Sequence, residues 1–317
     1  MKAKTFVKTA AAMTAATAGA GYVLFNEVMS RSGIFSKKVS DSVIKKQKLM
    51  TVEEPACVDE RVEWFRNADF KEYSITNPRG FLLKGYLIPA EKESDVYVFC
   101  SHGYKSSKDE FRFISKFYHD MGYNVFLVDH QACGNSEGKY LGFGYHESKD
   151  CLLWLDYMKQ LFGENIQIIL HGISMGCATV TMMSGDAALP SNVKFVIADC
   201  GYTSCDDEFS HAIKFLHIPK FPVYYAAKEF NKVLNGFSFE KVSPLNAVRY
   251  SKVPMLFIHG GDDSFVPTYM VHQLYAACGS ENKDLLIVEN AKHAESYQTD
   301  SPAYEKKIKE FTDKFIK

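Results

Sequence analysis

The sequence predicts an α/β protein that is built on a doubly wound, mostly parallel β-sheet and carries a helical insertion. Three observations support this fold class. Short apolar runs recur along the chain, stretches with helical spacing separate them, and one long segment interrupts the alternation. The 317 residues, of which 46% are hydrophobic and 24% charged, are sufficient for a large buried core. Disordered and collagen-like proteins are therefore excluded.

The predicted strands begin with a hairpin. Residues 73–76 and 81–88 flank the sequence Asn77-Pro78-Arg79-Gly80, which is typical of a turn. Six further runs are short, rich in β-branched residues and apolar on both faces, as strands inside a parallel sheet are. They are Val96 to Cys100, Val125 to Val128, Ile166 to Leu170, Val193 to Ala198, Met255 to Ile258 and Leu285 to Val288.

Helical spacing of apolar residues fills the gaps between these runs. It is seen at Phe111, Ile114 and Met121, at Leu152, Leu155 and Leu161, and at Tyr304, Ile308, Phe311 and Phe315. Residues 205–250 contain many Phe and Tyr side chains but no strand run. This segment is predicted to be a helical cap over one end of the sheet.

The N-terminus predicts a membrane anchor over residues 1–26, because Lys2, Lys4 and Lys8 precede a charge-free stretch. A signal peptide cleaved before secretion, or a helix docked on a cytoplasmic protein, are the alternatives. Residues 27–69 are interpreted as a connector, and residues 70–316 as the main domain. Every catalytic motif lies beyond residue 100, so a form that begins near Ser40 is expected to be soluble and active.

Charge and motif content exclude several partners and cofactors. The formal net charge is -1, whereas a protein that binds nucleic acid normally has a basic excess. The eight cysteines show no CxxC or zinc-ligand spacing and are predicted to be buried thiols, and no nucleotide-binding glycine motif occurs. We therefore expect no metal and no cofactor. Nothing in the sequence indicates an oligomeric state.

The segment Gly172-Ile173-Ser174-Met175-Gly176 lies between a strand run and a helix-like stretch. A G-x-S-x-G sequence in this strand–turn–helix setting is typical of a nucleophile elbow. Gly172 and Gly176 leave room for the strained turn, which lifts the serine hydroxyl clear of the sheet. Ser174 is therefore the predicted nucleophile.

A serine hydroxyl needs a base, and a histidine usually provides it. His293 follows the last strand run, at the sheet edge where catalytic groups of open α/β sheets collect. His259, at the end of a strand, is the main alternative. The other histidines that follow Ser174 lie in the cap or on a predicted helix and are weaker candidates: His211, His217 and His272.

The acid of the site is predicted to be Asp263, which follows the penultimate strand run. The adjacent Asp262 is one alternative. Asp199, which follows the preceding strand run, is the other. The sequence leaves these three aspartates open.

The segment Ser101-His102-Gly103-Tyr104 follows another strand run. Gly103 would allow the chain to pass close to the nucleophile, so that a backbone N–H points at the substrate oxygen. The two predicted oxyanion donors are the N–H groups of Tyr104 and Met175. His102 is predicted to brace the loop.

Together these motifs resemble the α/β-hydrolase family over residues 70–316, and Asp129 to Gly138 is similar to a further loop of that family. Gln131 stands where many relatives have arginine. The resemblance implies an α/β-hydrolase fold with a cap, and a Ser174–Asp263–His293 triad that acts through an acyl-enzyme without a cofactor. It is strongest to bacterial esterases akin to monoacylglycerol lipases and serine aminopeptidases.

Three functions are compatible with this resemblance. The leading prediction is a serine carboxylesterase for small-molecule esters with apolar or aromatic groups, because the aromatic cap would form an apolar pocket roof. A serine aminopeptidase or amidase would need an acidic pocket group; the cap offers Asp206, Asp207, Glu208 and Glu229. A non-catalytic binding protein is disfavoured, because all three triad residues are present.

Overall fold

A computed structural model describes residues 2–33, 59–215 and 220–317. These residues form an eight-stranded sheet with the strand order β1-β2-β4-β3-β5-β6-β7-β8. Strand β2 is antiparallel to both β1 and β4, and all other neighbours are parallel. The strands are β1 Lys71–Thr76, β2 Leu82–Ile88, β3 Val96–Ser101, β4 Asn124–Asp129, β5 Gln167–Ile173, β6 Val193–Asp199, β7 Met255–Gly260 and β8 Lys283–Val288. The predicted fold class is confirmed.

Helices connect the strands and cover both faces of the sheet. They are α1 Lys2–Met29, α2 Glu60–Arg66, α3 Ser115–Asp120, α4 Tyr145–Phe162, α5 Met175–Ser184, α6 Cys205–Phe215, α7 Val223–Leu234, α8 Pro244–Ala247, α9 Tyr269–Ala277, α10 Ser296–Thr299 and α11 Ser301–Phe315. Short 3₁₀ turns occupy Lys108–Arg112, Phe239–Lys241 and Val248–Tyr250. The helix predicted around Phe111 is thus divided into a 3₁₀ turn and the six-residue α3.

The inner strands β3 to β7 are buried on both faces, which explains why they are mostly apolar. Alternate residues of β4 show this clearly. Phe126 belongs to a core that includes Trp154 of α4, whereas Val125 and Leu127 belong to a second core that includes Tyr304 of α11. The carboxyl ends of the parallel strands meet at one edge of this double-sided core, and the loops that follow them are available for a functional site.

The cap consists of helices, and no strand occurs among the described residues of 205–250. A third apolar cluster joins these helices to α1, with Phe25 and Met29 of α1 packed among residues that include Tyr224 of α7. Gly21 lies at the crossing of α1 and α7, where an added Cβ would be 2.3 Å from the Cβ of Ala226. Only glycine at that position permits so close a crossing.

Helix α1 covers the segment predicted as an N-terminal anchor and extends beyond it. Helix α1 ends at Met29 rather than at residue 26, and its last turns contribute side chains to the body of the protein. The hydroxyl of Tyr104 donates to the carbonyl of Val28, and the Arg31 guanidinium donates to the carbonyls of Gly134 and Ser136. Within the described ranges, no helix combines the length and apolar character that crossing a membrane requires.

Two predictions fall partly outside the described residues. Of the predicted connector 27–69, residues 34–58 lie outside them, and residues 60–66 form α2. Of the eight cysteines, Cys57 lies outside, and the other seven are buried free thiols, as predicted.

Candidate active site

Ser174 lies at the turn between β5 and α5, at the carboxyl edge of the sheet. Its backbone has φ 56° and ψ −114°, a conformation that non-glycine residues rarely adopt. The N–H of Ser174 donates to the carbonyl of Asp199 at 2.9 Å, so the neighbouring strand β6 holds the turn in place. The side chain of Ser174 reaches a cavity, although the residue is only 7% exposed.

The two glycines of the elbow permit close backbone contacts. A Cβ added to Gly172 would lie 2.2 Å from the carbonyl oxygen of Gly176. A Cβ added to Gly176 would lie 1.8 Å from the carbonyl oxygen of Ser101, at the end of β3. No side chain fits at either position, so both glycines are needed for α5 to begin directly behind the serine.

His293 and Asp263 complete a continuous hydrogen-bonded chain with Ser174. The Nε2 atom of His293 is 2.9 Å from the Ser174 hydroxyl oxygen, and its Nδ1 atom is 2.7 Å from Oδ2 of Asp263. The other carboxylate oxygen of Asp263 accepts the N–H groups of Phe265 and Val266. Because Asp263 can only accept while it is ionised, Nδ1 carries the proton and Nε2 faces the serine as an acceptor.

The alternative residues do not occupy these positions. Nε2 of His259 donates to the carbonyl of Val266 at 2.9 Å and lies 3.3 Å from Asp263, so this histidine supports the acid. Asp262 is exposed, and Oδ2 of Asp199 accepts the hydroxyl of Tyr304 at 2.9 Å. Neither aspartate is bonded to His293.

The remaining candidate histidines lie elsewhere. His211 is 3.0 Å from the carbonyl of Ser264, and His272 is exposed on α9. His217 lies outside the described residues.

The pKa values of Asp263 and His293 favour an ionised carboxylate beside a basic imidazole. Burial acts to raise the pKa of Asp263. The charge of His293 and the hydrogen bonds from His259 and His293 act in the opposite direction and together outweigh burial, so the net pKa is well below its usual value. Burial acts to lower the pKa of His293, but the charge of Asp263, its hydrogen bond to the ring and the nearby Glu208 and Glu110 together outweigh burial, so the net pKa is raised. Asp263 therefore stabilises the protonated form of His293.

The loop after β3 passes directly over the nucleophile. A Cβ on Gly103 would lie 3.3 Å from the Cβ of Ser174, so a side chain at this position would crowd the serine. The buried His102 ties this loop to the next one, because its Nε2 accepts the N–H of His130 at 3.0 Å and its Nδ1 donates to the carbonyl of Gly103 at 2.7 Å. Burial lowers the pKa of His102 to about 4, so the ring is neutral.

Glu110 is a site residue that the sequence analysis did not identify. Its half-buried carboxyl group lies against the loop after β3 and accepts the N–H of Gly103, which occupies that donor. Burial raises the pKa of Glu110 to about 7. The residues predicted as oxyanion donors, Tyr104 and Met175, both line the same cavity as Ser174.

The cavity beside Ser174 has a volume of about 160 Å³ and an almost entirely apolar lining. Three parts of the chain contribute its walls: Leu24, Phe25, Val28 and Met29 from α1; Glu208, Phe209, Ala212, Ile213, Tyr224, Ala227 and Phe239 from the cap; and Tyr104, Phe143, Tyr202, Phe265 and Val266 from loops. The sequence analysis predicted the aromatic roof but not the contribution of α1. The sequence did contain a signal for this contribution, because the apolar residues 24, 25, 28 and 29 lie on one face of a helix.

The four acidic cap residues considered for an amine-binding pocket have different surroundings. Asp206 forms an ion pair with Lys228 at 2.9 Å, Asp207 accepts the hydroxyls of Thr203 and Ser204, and Glu229 is exposed on α7. Glu208 alone among them lines the cavity.

The side chain of Gln131 has a structural role in its loop. Its amide nitrogen donates to the carbonyl of Tyr140 at 2.6 Å, and the side chain is buried. The glutamine therefore braces its own loop.

Known proteins resemble this chain in sequence and in fold. The family model described as the prolyl oligopeptidase family matches residues 109–317. The uncharacterized protein YqkD of Bacillus subtilis is 28% identical over 287 residues, which are 90% of this chain and 91% of that protein. The Pyrococcus furiosus esterase Pf2001 superposes with a TM-score of 0.65 at 23% identity, covering 84% of this chain and 97% of that one.

A further solved structure is a peptidase. The Pyrococcus horikoshii acylaminoacyl peptidase superposes with a TM-score of 0.57 at 20% identity. The match covers 82% of this chain but only 44% of the peptidase. At these identities the structural likeness to both Pyrococcus proteins shows the fold.

Proposed function

The chain belongs to the prolyl oligopeptidase family, within the α/β-hydrolases, and from that premise we propose that it is a serine esterase. Its substrates are carboxylic esters with small or medium apolar acyl or aromatic groups. The observation that carries this proposal is the continuous chain of hydrogen bonds from Ser174 through His293 to Asp263, which begins at the wall of an apolar cavity. A cavity of this kind holds an apolar group beside the nucleophile.

In the proposed mechanism, the Ser174 hydroxyl attacks the ester carbonyl while Nε2 of His293 takes its proton. The imidazolium then gives this proton to the departing alcohol, and an acyl-enzyme remains. Water, deprotonated by the same nitrogen, hydrolyses the acyl-enzyme and restores Ser174. Asp263 holds the Nδ1–H tautomer and stabilises the imidazolium through both steps.

The backbone N–H groups of Tyr104 and Met175 are the proposed donors to the oxyanion that develops in each step. Met175 is the first residue of α5, and the first N–H groups of a helix have no partner within it. The positive end of the α5 dipole also favours negative charge at this place.

Amide cleavage is the second candidate function. The family takes its name from peptidases, and one superposing structure is an acylaminoacyl peptidase. The triad chemistry is the same for both bonds, so the nature of the leaving group distinguishes the two functions.

The test of the proposed function is labelling with a fluorophosphonate probe, followed by mass spectrometry of the labelled peptide. We expect one label, on Ser174, and turnover of p-nitrophenyl esters in preference to aminoacyl anilides. Labelling with turnover of anilides alone would support the peptidase instead. A chain that neither reacts with the probe nor cleaves either panel would be a binding protein, contrary to the proposal.

The raised pKa of His293 predicts a specific pH dependence of esterase activity. The imidazole accepts a proton from Ser174 only when it is neutral, so kcat/KM should rise with pH through the pKa of His293. Because Asp263 raises that pKa, the midpoint should lie above the usual histidine value of 6.5. A pH profile with an ester whose own hydrolysis is slow measures the midpoint. A midpoint below that value would contradict the electrostatic role of Asp263.

Helix α1 is expected to be required for full activity, which reverses the expectation for a form that begins near Ser40. Deletion of residues 1–33 removes Leu24, Phe25, Val28 and Met29 from the cavity wall. The lost contact with an apolar acyl group amounts to about 1.5–3 kcal/mol, so kcat/KM should fall by about ten- to a hundredfold. Kinetics with p-nitrophenyl hexanoate, together with Tm, measure both the loss of activity and the loss of packing.

The control for this deletion is Val23→Ala, because Val23 is on the same helix but is 58% exposed. It should leave both kcat/KM and Tm close to those of the full chain. Equal activity and stability of the deleted form would show that α1 contributes nothing to the cavity.

A further inference from the structure

Glu208 is an acidic side chain in an otherwise apolar cavity. It belongs to the first turn of α6 and lines the same space as Ser174, yet the residue is only 7% exposed. Its Oε2 atom is buried and has no hydrogen-bond partner among the described residues. A buried carboxyl oxygen without a partner is costly, so its presence in the wall of a cavity calls for a partner, and a bound ligand is one way to provide it.

The other polar groups in the cavity wall have their hydrogens committed elsewhere. The hydroxyl of Tyr104 donates to Val28, that of Tyr202 donates to Phe143 at 3.0 Å, and that of Tyr224 donates to Asp206. Apart from Ser174, Glu208 is thus the polar side chain of the described wall that retains an oxygen without a hydrogen-bond partner.

The number of donors and acceptors distinguishes the possible ligands. A substrate ammonium carries three N–H donors, and a single carboxylate in an apolar wall would leave part of them buried and unpaired. A hydroxyl has a single donor, and a protonated carboxyl group can both accept that hydrogen and donate its own to the hydroxyl oxygen. A purely apolar chain would leave the carboxyl unsatisfied.

We propose that Glu208 selects esters that carry an uncharged hydroxyl group on the portion held in the cavity, and that it pairs with this hydroxyl. This inference rests on the proposed esterase function and names its substrate class. The protonation state agrees with it, because burial raises the pKa of Glu208 to about 8 and the carboxyl is neutral at about pH 7. The neighbouring His293 acts in the opposite direction but is the smaller effect.

The test compares p-nitrophenyl hexanoate with its 2-, 3- and 6-hydroxy and its 2-, 3- and 6-amino derivatives, using the full-length protein. At one hydroxyl position, kcat/KM should exceed that of hexanoate by about tenfold, as expected for one hydrogen bond in a dry site. Glu208→Met should abolish this ratio. Glu208→Gln should keep most of it, because the amide also donates and accepts. Glu229→Gln removes an exposed cap carboxylate and should leave the ratio unchanged.

Several results would overturn the inference. They are the absence of any hydroxyl preference, a preference that persists in Glu208→Met, or a preference for the amino esters that both Glu208 variants lose. If hexanoate is cleaved without such a preference, the esterase proposal stands and only this inference fails. If no ester is cleaved, binding of the corresponding methyl esters to Ser174→Ala, measured by calorimetry, decides the hydroxyl preference independently of turnover.

Discussion

Replacing Ser174 with alanine is expected to lower kcat for p-nitrophenyl esters by about a million-fold, to near the background rate. In the proposed mechanism, the hydroxyl that His293 contacts at 2.9 Å forms the acyl-enzyme, and neither His293 nor Asp263 can replace it. Steady-state kinetics measure the loss of turnover. The same variant should also lose all labelling by a fluorophosphonate, since that reagent reacts with the activated hydroxyl.

The interpretation of this loss requires an intact fold. Ser174→Ala removes one hydroxyl from the cavity wall and leaves the positive φ of the turn unchanged, so Tm should remain within a few degrees of the parent protein. Ser191→Ala, at an exposed position remote from the cavity, is the matched control and should keep full activity. If folded Ser174→Ala retained more than about one per cent of the turnover, the nucleophile would have to be another residue.

The inner strands were predictable because they are buried on both faces, and their apolar residues therefore follow one another directly in the sequence. Strand β5 shows where the apolar pattern no longer predicts the extent of a strand. Its apolar run stops at Leu170, but the strand continues through His171 and Gly172 to Ile173. Pairing with β3 and β6 maintains this extension, and those partners are far away in sequence.

The position of α1 could not be read from the leader sequence. A basic start followed by an Ala- and Thr-rich stretch is compatible with an anchor, a signal or a docked helix. The docking surface is α7, about two hundred residues later, and the close contact depends on Gly21 meeting Ala226. Because the complementarity is spread over two distant segments, neither segment specifies it alone.

The burial of Glu110 and Glu208 could not be predicted from the sequence either. Both are acidic residues in charged stretches, and such stretches usually face solvent. Their burial follows from the loop after β3 folding over the nucleophile and from the cap closing the cavity. Sequence patterns locate the groups that carry out the chemistry more readily than the groups that surround them.

The acid of the triad was the least certain part of the predicted site, because three aspartates follow adjacent strands. Geometry now ranks them: Asp263 is 2.7 Å from Nδ1 of His293, Asp199 is bonded to Tyr304, and Asp262 is exposed. We therefore expect the corresponding asparagine variants to differ by orders of magnitude in kcat. The comparison is informative because all three substitutions remove the same charge.

Asp263→Asn should lower kcat by about ten-thousandfold. The asparagine amide can donate to the imidazole, which favours the tautomer with its proton on Nε2, so that His293 no longer accepts the proton of Ser174. Asp262→Asn and Asp199→Asn should reduce kcat by less than about tenfold, because neither contacts the imidazole. Kinetics of the three purified variants, with Tm as the check on folding, test this ranking. A severe loss in folded Asp199→Asn beside near-normal Asp263→Asn would place the acid on β6, one strand earlier than the hydrogen bond to His293 places it.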